Sequence, residues 1–207
     1  MKKCIIIVII LVVVLTLGLW LFNRPKAAPE MPTSITEPEI DTSLWQVYEN
    51  NLIGFSIRLP SLVAASSDAY PQSYGLTEVR DNIVKFVIPP SMVTGTNLST
   101  DSYLGIERLP TATSCKAEAF FADPNVVSKS LTEGATTYSV VVGTDAAAGN
   151  RYEETIYALT GSQPCLAVRY FLHYGSIENY PSGTVTEFDK AALLKEFDAI
   201  RRSLVIQ

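Results

Sequence analysis

The chain has 207 residues, a net charge of −5 and a pI near 4.9, and 47% of its residues are hydrophobic. This acidic balance excludes a typical nucleic-acid binder, which presents a basic face to the phosphates. The length is sufficient for one ordinary domain and one accessory segment.

The accessory segment is an apolar run at the N-terminus. Lys2 and Lys3 precede it, and residues 4–22 carry no charge. As a helix they extend about 28 Å, close to the thickness of the hydrocarbon core. We predict a cytoplasmic tail at residues 1–3 and a transmembrane signal anchor at residues 4–22. The alternative is a cleaved secretory signal, but the best cleavage candidate, residues 26–28, places a lysine where a small residue is needed.

The charges flanking the apolar run leave its orientation open. Lys2 and Lys3 lie before it, and Arg24 and Lys26 lie after it, so the count is even. A short basic tail is typical of an N-inside anchor, and cysteines in the following domain suit an oxidising compartment. We therefore expect a single-pass cell-membrane protein with a cytoplasmic N-terminus and an extracytoplasmic domain.

Residues 23–43 form a proline-rich linker with little material for a core. Prolines at 25, 29, 32 and 38 favour an extended chain of about 3.1 Å per residue. Such a linker reaches up to ~60 Å from the bilayer.

Residues 44–207 have the pattern of one extracytoplasmic α+β domain with a central antiparallel sheet. Short apolar or alternating stretches, separated by turn residues, predict strands. Residues 143–150 and 161–164 predict turns between the last strands, which makes an antiparallel meander, and residues 114–124 predict a short helix. The strand candidates are residues 44–50, 54–60, 77–89, 102–110, 136–143, 151–160 and 164–173.

Residues 186–204 predict the longest helix of this domain. Its start is assigned to a capping box, either Thr184 with Glu187 or Thr186 with Asp189. The adjacent pair Arg201-Arg202 suits the negative end of the helix dipole. Apolar residues recur at steps of three or four and predict a stripe that packs on the sheet: Phe188, Ala191, Leu194, Phe197, Ile200 and Leu204.

Two stretches of this domain resemble PsbP-like domains. Residues 48–60, "YENNLIGFSIRLP", resemble the opening of such domains, and residues 193–206, "LLKEFDAIRRSLVI", resemble their last helix and strand. The resemblance implies an α/β/α sandwich in which helices pack on a central antiparallel sheet. It also implies a binding role, since binding is common to proteins of that fold, which include a lumenal photosystem subunit and a nuclear-transport factor. No functional residue is carried over.

Cys115 and Cys165 are the two cysteines of the predicted exported domain, whereas Cys4 borders the apolar run. We predict a disulfide between them, which closes a long loop and stabilises the fold by about 4 kcal/mol in the chain-entropy model. Two buried free thiols are the main alternative. A catalytic cysteine is the third alternative.

His173 is the only histidine of the chain. On an unbroken strand it lies about 26 Å from Cys165, too far for a catalytic dyad or a shared metal. We therefore expect a structural or exposed imidazole and no metal or other cofactor. On the same strand, the 161–164 turn places Arg169 diagonal to Glu154, which predicts an ion pair, and Glu153 faces the opposite side of the sheet.

Tyrosines on two loops are candidates for partner recognition, because such rings bring a large contact area and a hydroxyl at small entropic cost. They are Tyr70, Tyr74, Tyr174 and Tyr180. The alternative is that they hold their loops to the sheet. Asn97-Leu98-Ser99 also matches a glycosylation sequon.

Two functions remain open from the sequence. The first is a membrane-tethered binding or scaffold module with no catalytic residue, whose partner is an envelope protein or a glycan. The second is an exported hydrolase with an active site near His173.

Overall fold

Two antiparallel sheets make up most of the regular secondary structure in the computed structural model, which describes residues 40–66, 81–123 and 125–207. The predicted tail and anchor, most of the linker, and both Tyr70 and Tyr74 lie outside these residues. Within the described ranges, no helix is both long and apolar enough to cross a membrane.

The smaller sheet has three strands in the order β1-β2-β10. These are β1 (Gln46–Asn50), β2 (Phe55–Leu59) and β10 (Val205–Ile206). The hairpin predicted around residues 50 and 51 is confirmed, because β1 pairs with β2 in antiparallel register. The Asn50 side chain accepts the N–H groups of the next turn, and Gly54 adopts a positive φ of 85° that favours glycine.

The larger sheet has seven strands in the order β3-β4-β5-β9-β8-β7-β6, and every neighbouring pair is antiparallel. The predicted meander of β7, β8 and β9 is confirmed. The strands are β3 (Ala64–Ser66), β4 (Asp81–Val87), β5 (Tyr103–Leu109), β6 (Lys129–Glu133), β7 (Thr136–Ala147), β8 (Asn150–Leu159) and β9 (Cys165–Gly175).

The turn predicted over residues 143–150 is much shorter than expected. Strand β7 continues to Ala147 and β8 begins at Asn150, which leaves only Ala148 and Gly149 between them. Both have a positive φ, 49° and 81°, as a two-residue hairpin turn of type I′ requires. The small residues before this turn therefore belong to a strand.

The helices of the described chain are few and mostly short. They are α1 (Pro90–Val93), α2 (Lys190–Arg202) and two 3₁₀ helices, Ala117–Phe120 and Ile177–Asn179. The helix predicted over residues 114–124 is reduced to the first 3₁₀ helix. Its polar groups bond to neighbours outside it: the Ala117 N–H donates to the Ser139 hydroxyl, and the Glu118 carboxylate accepts the Ser128 N–H.

Helix α2 begins later and is rotated relative to the predicted stripe. Its N-cap is Asp189, whose carboxylate accepts the Ala192 N–H, so neither predicted capping threonine starts it. The face that is buried carries Leu193, Phe197, Ala199, Ile200 and Arg201, whereas Ala191 is exposed. The stripe was misplaced because Leu193 and Leu194 are adjacent and both fit a spacing of three or four.

Buried apolar residues lie on both faces of the larger sheet. The first cluster joins this sheet to the smaller sheet and α2, and includes Phe55, Phe86, Leu104, Val168 and Phe197. The second lies beneath the first 3₁₀ helix, and includes Leu109, Phe120, Val141, Ile156 and Ala167. The described chain is therefore a mainly β form of the α+β arrangement, with two antiparallel sheets.

Candidate functional site

His173 on β9 has a polar partner for each ring nitrogen. Its Nδ1 lies 2.8 and 3.0 Å from the two carboxylate oxygens of Asp101, and its Nε2 lies 3.1 Å from the side-chain oxygen of Asn150. The ring also stacks on Tyr152, with 4.5 Å between centroids. The imidazole is thus fixed by the loop before β5 and by strand β8.

The Asp101 carboxylate orients the imidazole and stays ionised. Burial acts to raise the pKa of Asp101, but hydrogen bonds from Ser99 and His173 outweigh it and lower the pKa. In a hydrolytic triad, a carboxylate bonds to Nδ1 of the histidine and a nucleophile faces its Nε2. Here Nε2 faces the Asn150 amide, which is not a nucleophile.

The cysteines and the metal-ligating residue types of the described chain lie as follows relative to His173. Cys165 lies at the other end of β9 and is bonded to Cys115, with 2.07 Å between the sulfur atoms, which confirms the predicted disulfide. In the part of the chain that the structure describes, no group of three or more His, Cys, Asp or Glu residues is placed to hold a metal ion.

Four rings form a row across three strands of the larger sheet. We call Tyr103, Phe171, Tyr152 and His173 the aromatic row. Tyr103 stacks on Phe171 with 5.2 Å between centroids, Phe171 lies 6.4 Å from Tyr152, and Tyr152 stacks on His173. The Lys85 ammonium lies 4.9 Å from the Tyr103 centroid at one end. The register of β5, β9 and β8 places all four rings on the face opposite α2.

Each stacked pair of the aromatic row covers one face of each of its two rings. Its stacked pairs are nearly parallel, with interplanar angles of 26° and 20°, so those faces are turned toward one another. Phe171, Tyr152 and His173 are half-buried, and the Asp101 side chain beside them is 60% exposed. This row is not evident from the sequence because its members come from three strands, and only the cross-strand register brings them together.

Of the two described tyrosines of this set, Tyr174 lies on strand β9 and not on the predicted loop, whereas Tyr180 follows the second 3₁₀ helix and contacts the end of β9. The Tyr174 hydroxyl donates to Glu153, and its ring lies 5.2 Å from that of Phe188. Burial and the bond to Glu153 raise the pKa of Tyr174 to about 12. Tyr180 is 37% exposed, yet its hydroxyl lies so close to the Gly175 backbone that a Cβ there would meet the hydroxyl oxygen at 2.3 Å. Recognition by these rings stays a prediction.

The predicted ion pair between Arg169 and Glu154 is confirmed, and it belongs to a larger buried group. The Arg169 guanidinium also bonds to the Glu107 carboxylate and to the Phe120 carbonyl oxygen. Arg169 and Glu107 are 1% and 0% exposed. Their contacts hold the first 3₁₀ helix to the sheet, beside the aromatic row.

Arg201, predicted from the sequence only as a partner of the helix dipole, is a second buried cation. Its guanidinium lies 4.8 and 4.2 Å from the ring centroids of Tyr138 and Tyr157, and it bonds to Glu133 and Asp198. It is 1% exposed. Arg201 therefore fixes α2 on the sheet.

The sequon asparagine has a structural role in the folded chain. Asn97 is 4% exposed, its amide nitrogen donates to the Gly175 carbonyl, and its oxygen accepts the Phe188 N–H. It ties the loop before β5 to the end of β9 and to the approach to α2. A glycan on this amide is incompatible with these contacts.

Comparison with known proteins gives no family. No family model and no curated protein matches the chain. One similar solved structure is a protein from Bacteroides thetaiotaomicron VPI-5482, with 11% sequence identity and a TM-score of 0.39. The match covers 74% of this chain and 45% of that one, so this chain spans less than half its length. A likeness this weak supports no conclusion about the fold or the function of this chain.

Proposed function

We propose that this protein is a membrane-tethered, extracytoplasmic binding module. Residues 4–22 anchor it, residues 23–43 act as a flexible linker, and the head binds a partner through the face that carries the aromatic row. The finer fold that we propose for the head is the PsbP-like α/β/α sandwich, supported by the two resembling stretches of sequence.

One observation carries the binding role: half-buried aromatic rings and exposed polar groups adjoin on one face of a rigid sheet. Tyr152, Phe171 and His173 form its centre, and the exposed Asp101 carboxylate lies at its edge. Interfaces favour such rings because they bring large contact areas at small entropic cost. Strands β8 and β9 hold the rings in place without a partner.

The same site disfavours the alternative hydrolase. The Asp101 and His173 pair is present, but the atom that would activate a nucleophile faces the Asn150 amide. Active sites often hold carboxylates with a shifted pKa, but the lowered pKa of Glu133 follows from its hydrogen bonds to Arg201 and Arg202, away from His173.

The chemistry of the row favours an envelope protein over a glycan as partner. A sugar stacks on a free aromatic face, and the stacked pairs of the row turn those faces toward each other. Ring edges, the Tyr152 hydroxyl and the Asp101 carboxylate suit the mixed apolar and hydrogen-bonding contacts of a protein surface. The acidic charge of the chain disfavours nucleic acid.

Site-specific crosslinking in intact cells tests the partner. A photoreactive amino acid at position 152 should capture one envelope protein, identified by mass spectrometry. The same amino acid at Val205, which is 58% exposed on the smaller sheet, serves as the control and should not capture it. Equal capture from both positions, or capture from neither, contradicts the proposed binding face.

Topology is tested separately. An activity reporter joined through a linker to Gln207 should be active outside the cytoplasm, and the mature chain should retain residues 4–22 by intact mass. A reporter active only in the cytoplasm, or a chain that begins after residue 22, contradicts the tether and leaves the crosslinking result standing.

A further inference from the structure

Strand β6 ends the larger sheet, and the side chains along it are exposed. In the described part of the chain, β6 pairs with β7 on one side and has no strand on the other. Lys129, Ser130, Leu131 and Thr132 are all exposed, and Leu131 is 36% exposed. Such an edge offers unpaired N–H and C=O groups to any strand that approaches it.

The sequence of β6 is complementary to itself when it runs antiparallel. With Leu131 opposite Leu131 of a second copy, Lys129 comes opposite Glu133 and Ser130 comes opposite Thr132. The two-fold symmetry creates the lysine–glutamate pair twice. Opposite charges and apolar residues directly across two strands stabilise the pairing.

The pairs also fall on suitable faces. The register with β7 places Lys129, Leu131 and Glu133 on one face of the sheet and Ser130 and Thr132 on the other. One face of the joint would therefore hold an apolar contact between two ion pairs, and the other would hold hydroxyl pairs.

Exposed apolar residues continue this face beyond the strand. Val127 is 81% exposed, and Val142 on β7 is 65% exposed. Extending the β6 and β7 register brings these two residues opposite each other. They add apolar area beside the strand pairing.

Lys129 determines which strand the edge accepts. An edge lysine normally repels or destabilises a foreign strand, because its charge has to be desolvated without a partner. In the self-pairing it meets Glu133, which is 25% exposed and already accepts hydrogen bonds from Arg201 and Arg202. These bonds hold the Glu133 carboxylate ionised and in place.

We propose that a second copy of this chain pairs with β6, so that two larger sheets join edge to edge. The inference goes beyond the binding role and does not depend on it, because it stands on β6 and its neighbours alone. A strand pair of this length buries little area, and the proposed membrane anchor would favour the pairing by raising the local concentration of copies.

Disulfide trapping of the full-length chain in its membrane tests this pairing. In a Cys4→Ser background, Leu131→Cys should give a covalent dimer on mild oxidation, because position 131 faces its own copy on the two-fold axis. Thr132→Cys is the matched control: it is exposed on the same strand but lies opposite Ser130, too far from its own copy to bridge. Equal dimer yields from the two variants would overturn the proposal.

Charge reversal tests the ion pairs. In the Leu131→Cys chain, Lys129→Glu places like charges opposite each other twice and should lower the yield of covalent dimer about tenfold. Lys129→Arg should keep the yield. An unchanged yield with Lys129→Glu, or a Leu131→Cys adduct with a different protein in place of the dimer, refutes self-pairing. A dimer recovered from the soluble fraction leaves self-pairing intact and refutes only the anchor.

Discussion

Arg169 is the residue whose loss should harm the fold most. It is 1% exposed and is the cation that bonds to the fully buried Glu107. Arg169→Met removes the bidentate guanidinium contact of that buried carboxylate, so we expect the free energy of unfolding to fall by about 3–5 kcal/mol. Urea denaturation followed by circular dichroism measures this change.

A matched arginine provides the control for Arg169. Arg202 also bonds to a glutamate but is 44% exposed, so Arg202→Ala should cost less than about 1 kcal/mol. Adding Glu107→Gln to Arg169→Met should restore part of the loss, because the remaining side chain is neutral. Similar losses for Arg169→Met and Arg202→Ala would argue against a buried charge network.

Glu133 gives the fold a dependence on acidic pH. Hydrogen bonds from Arg201, and to a lesser degree from Arg202, outweigh burial and hold the pKa of Glu133 below its ordinary value of 4.5. A lowered folded-state pKa means that this carboxylate stabilises the fold fully above about pH 4.5 and loses that effect as pH falls through the folded-state pKa.

Glu133→Gln should therefore destabilise the protein near neutral pH, and the difference from the parent should shrink steadily below pH 4.5. Thermal unfolding at a series of pH values measures it. A difference that stays constant down to about pH 2 would show that the ionised carboxylate is not what stabilises the fold.

Among these residues, contacts within one hairpin were predicted from the sequence, whereas contacts between distant strands were not. The ion pair of Arg169 with Glu154 followed from one hairpin register, because both residues lie on adjacent strands. Glu107 was missed because it comes from β5, whose pairing with β9 joins strands far apart in sequence. Arg201 was missed for a similar reason, since the tyrosines around it lie on β7, β8 and β9.

At the scale of elements, helix α2 depends on a cap that the sequence analysis placed elsewhere. Asp189 accepts the Ala192 N–H. Asp189→Ala should lower the free energy of unfolding by about 1 kcal/mol, because the first turn then loses an acceptor. Asp189→Asn should keep most of that stability, and so should Thr186→Ala. A larger loss from Thr186→Ala than from Asp189→Ala would move the helix start back to the predicted position.

The strands were predicted better than the helices, and the reason is physical. Alternation and turn residues are local signals, so the hairpins of β1 with β2 and of β7, β8 and β9 were found. The segment at residues 117–120 has helical propensity, but the Cys115 disulfide and the bond from Ala117 to Ser139 hold it against the sheet. These tertiary contacts therefore determine the conformation of the segment more strongly than its helix propensity does.

At the scale of the whole described domain, strand order should determine the order of local opening. Strands β5 and β9 lie inside the larger sheet and are almost entirely buried, whereas β1 and β3 are short, exposed edge strands. We expect hydrogen exchange to be slowest in β5 and β9 and fastest in β1 and β3. Exchange measured by mass spectrometry over a time course tests this order.

Strand β6 provides an internal check on that measurement. As an edge strand, β6 should exchange its amide hydrogens quickly at low protein concentration and more slowly as the proposed pairing forms.

For the order of strands, the contrary result is hydrogen exchange in β3 as slow as in β9.

The bond between Cys115 and Cys165 turns part of the domain into a covalent ring. Strands β6, β7 and β8 all lie between the two cysteines. A protease that cut once inside this ring would leave two pieces that still migrate together until a reductant is added. A single cut in these hairpins would thus go unseen on an ordinary non-reducing gel, and the nicked domain would keep all its strands covalently connected.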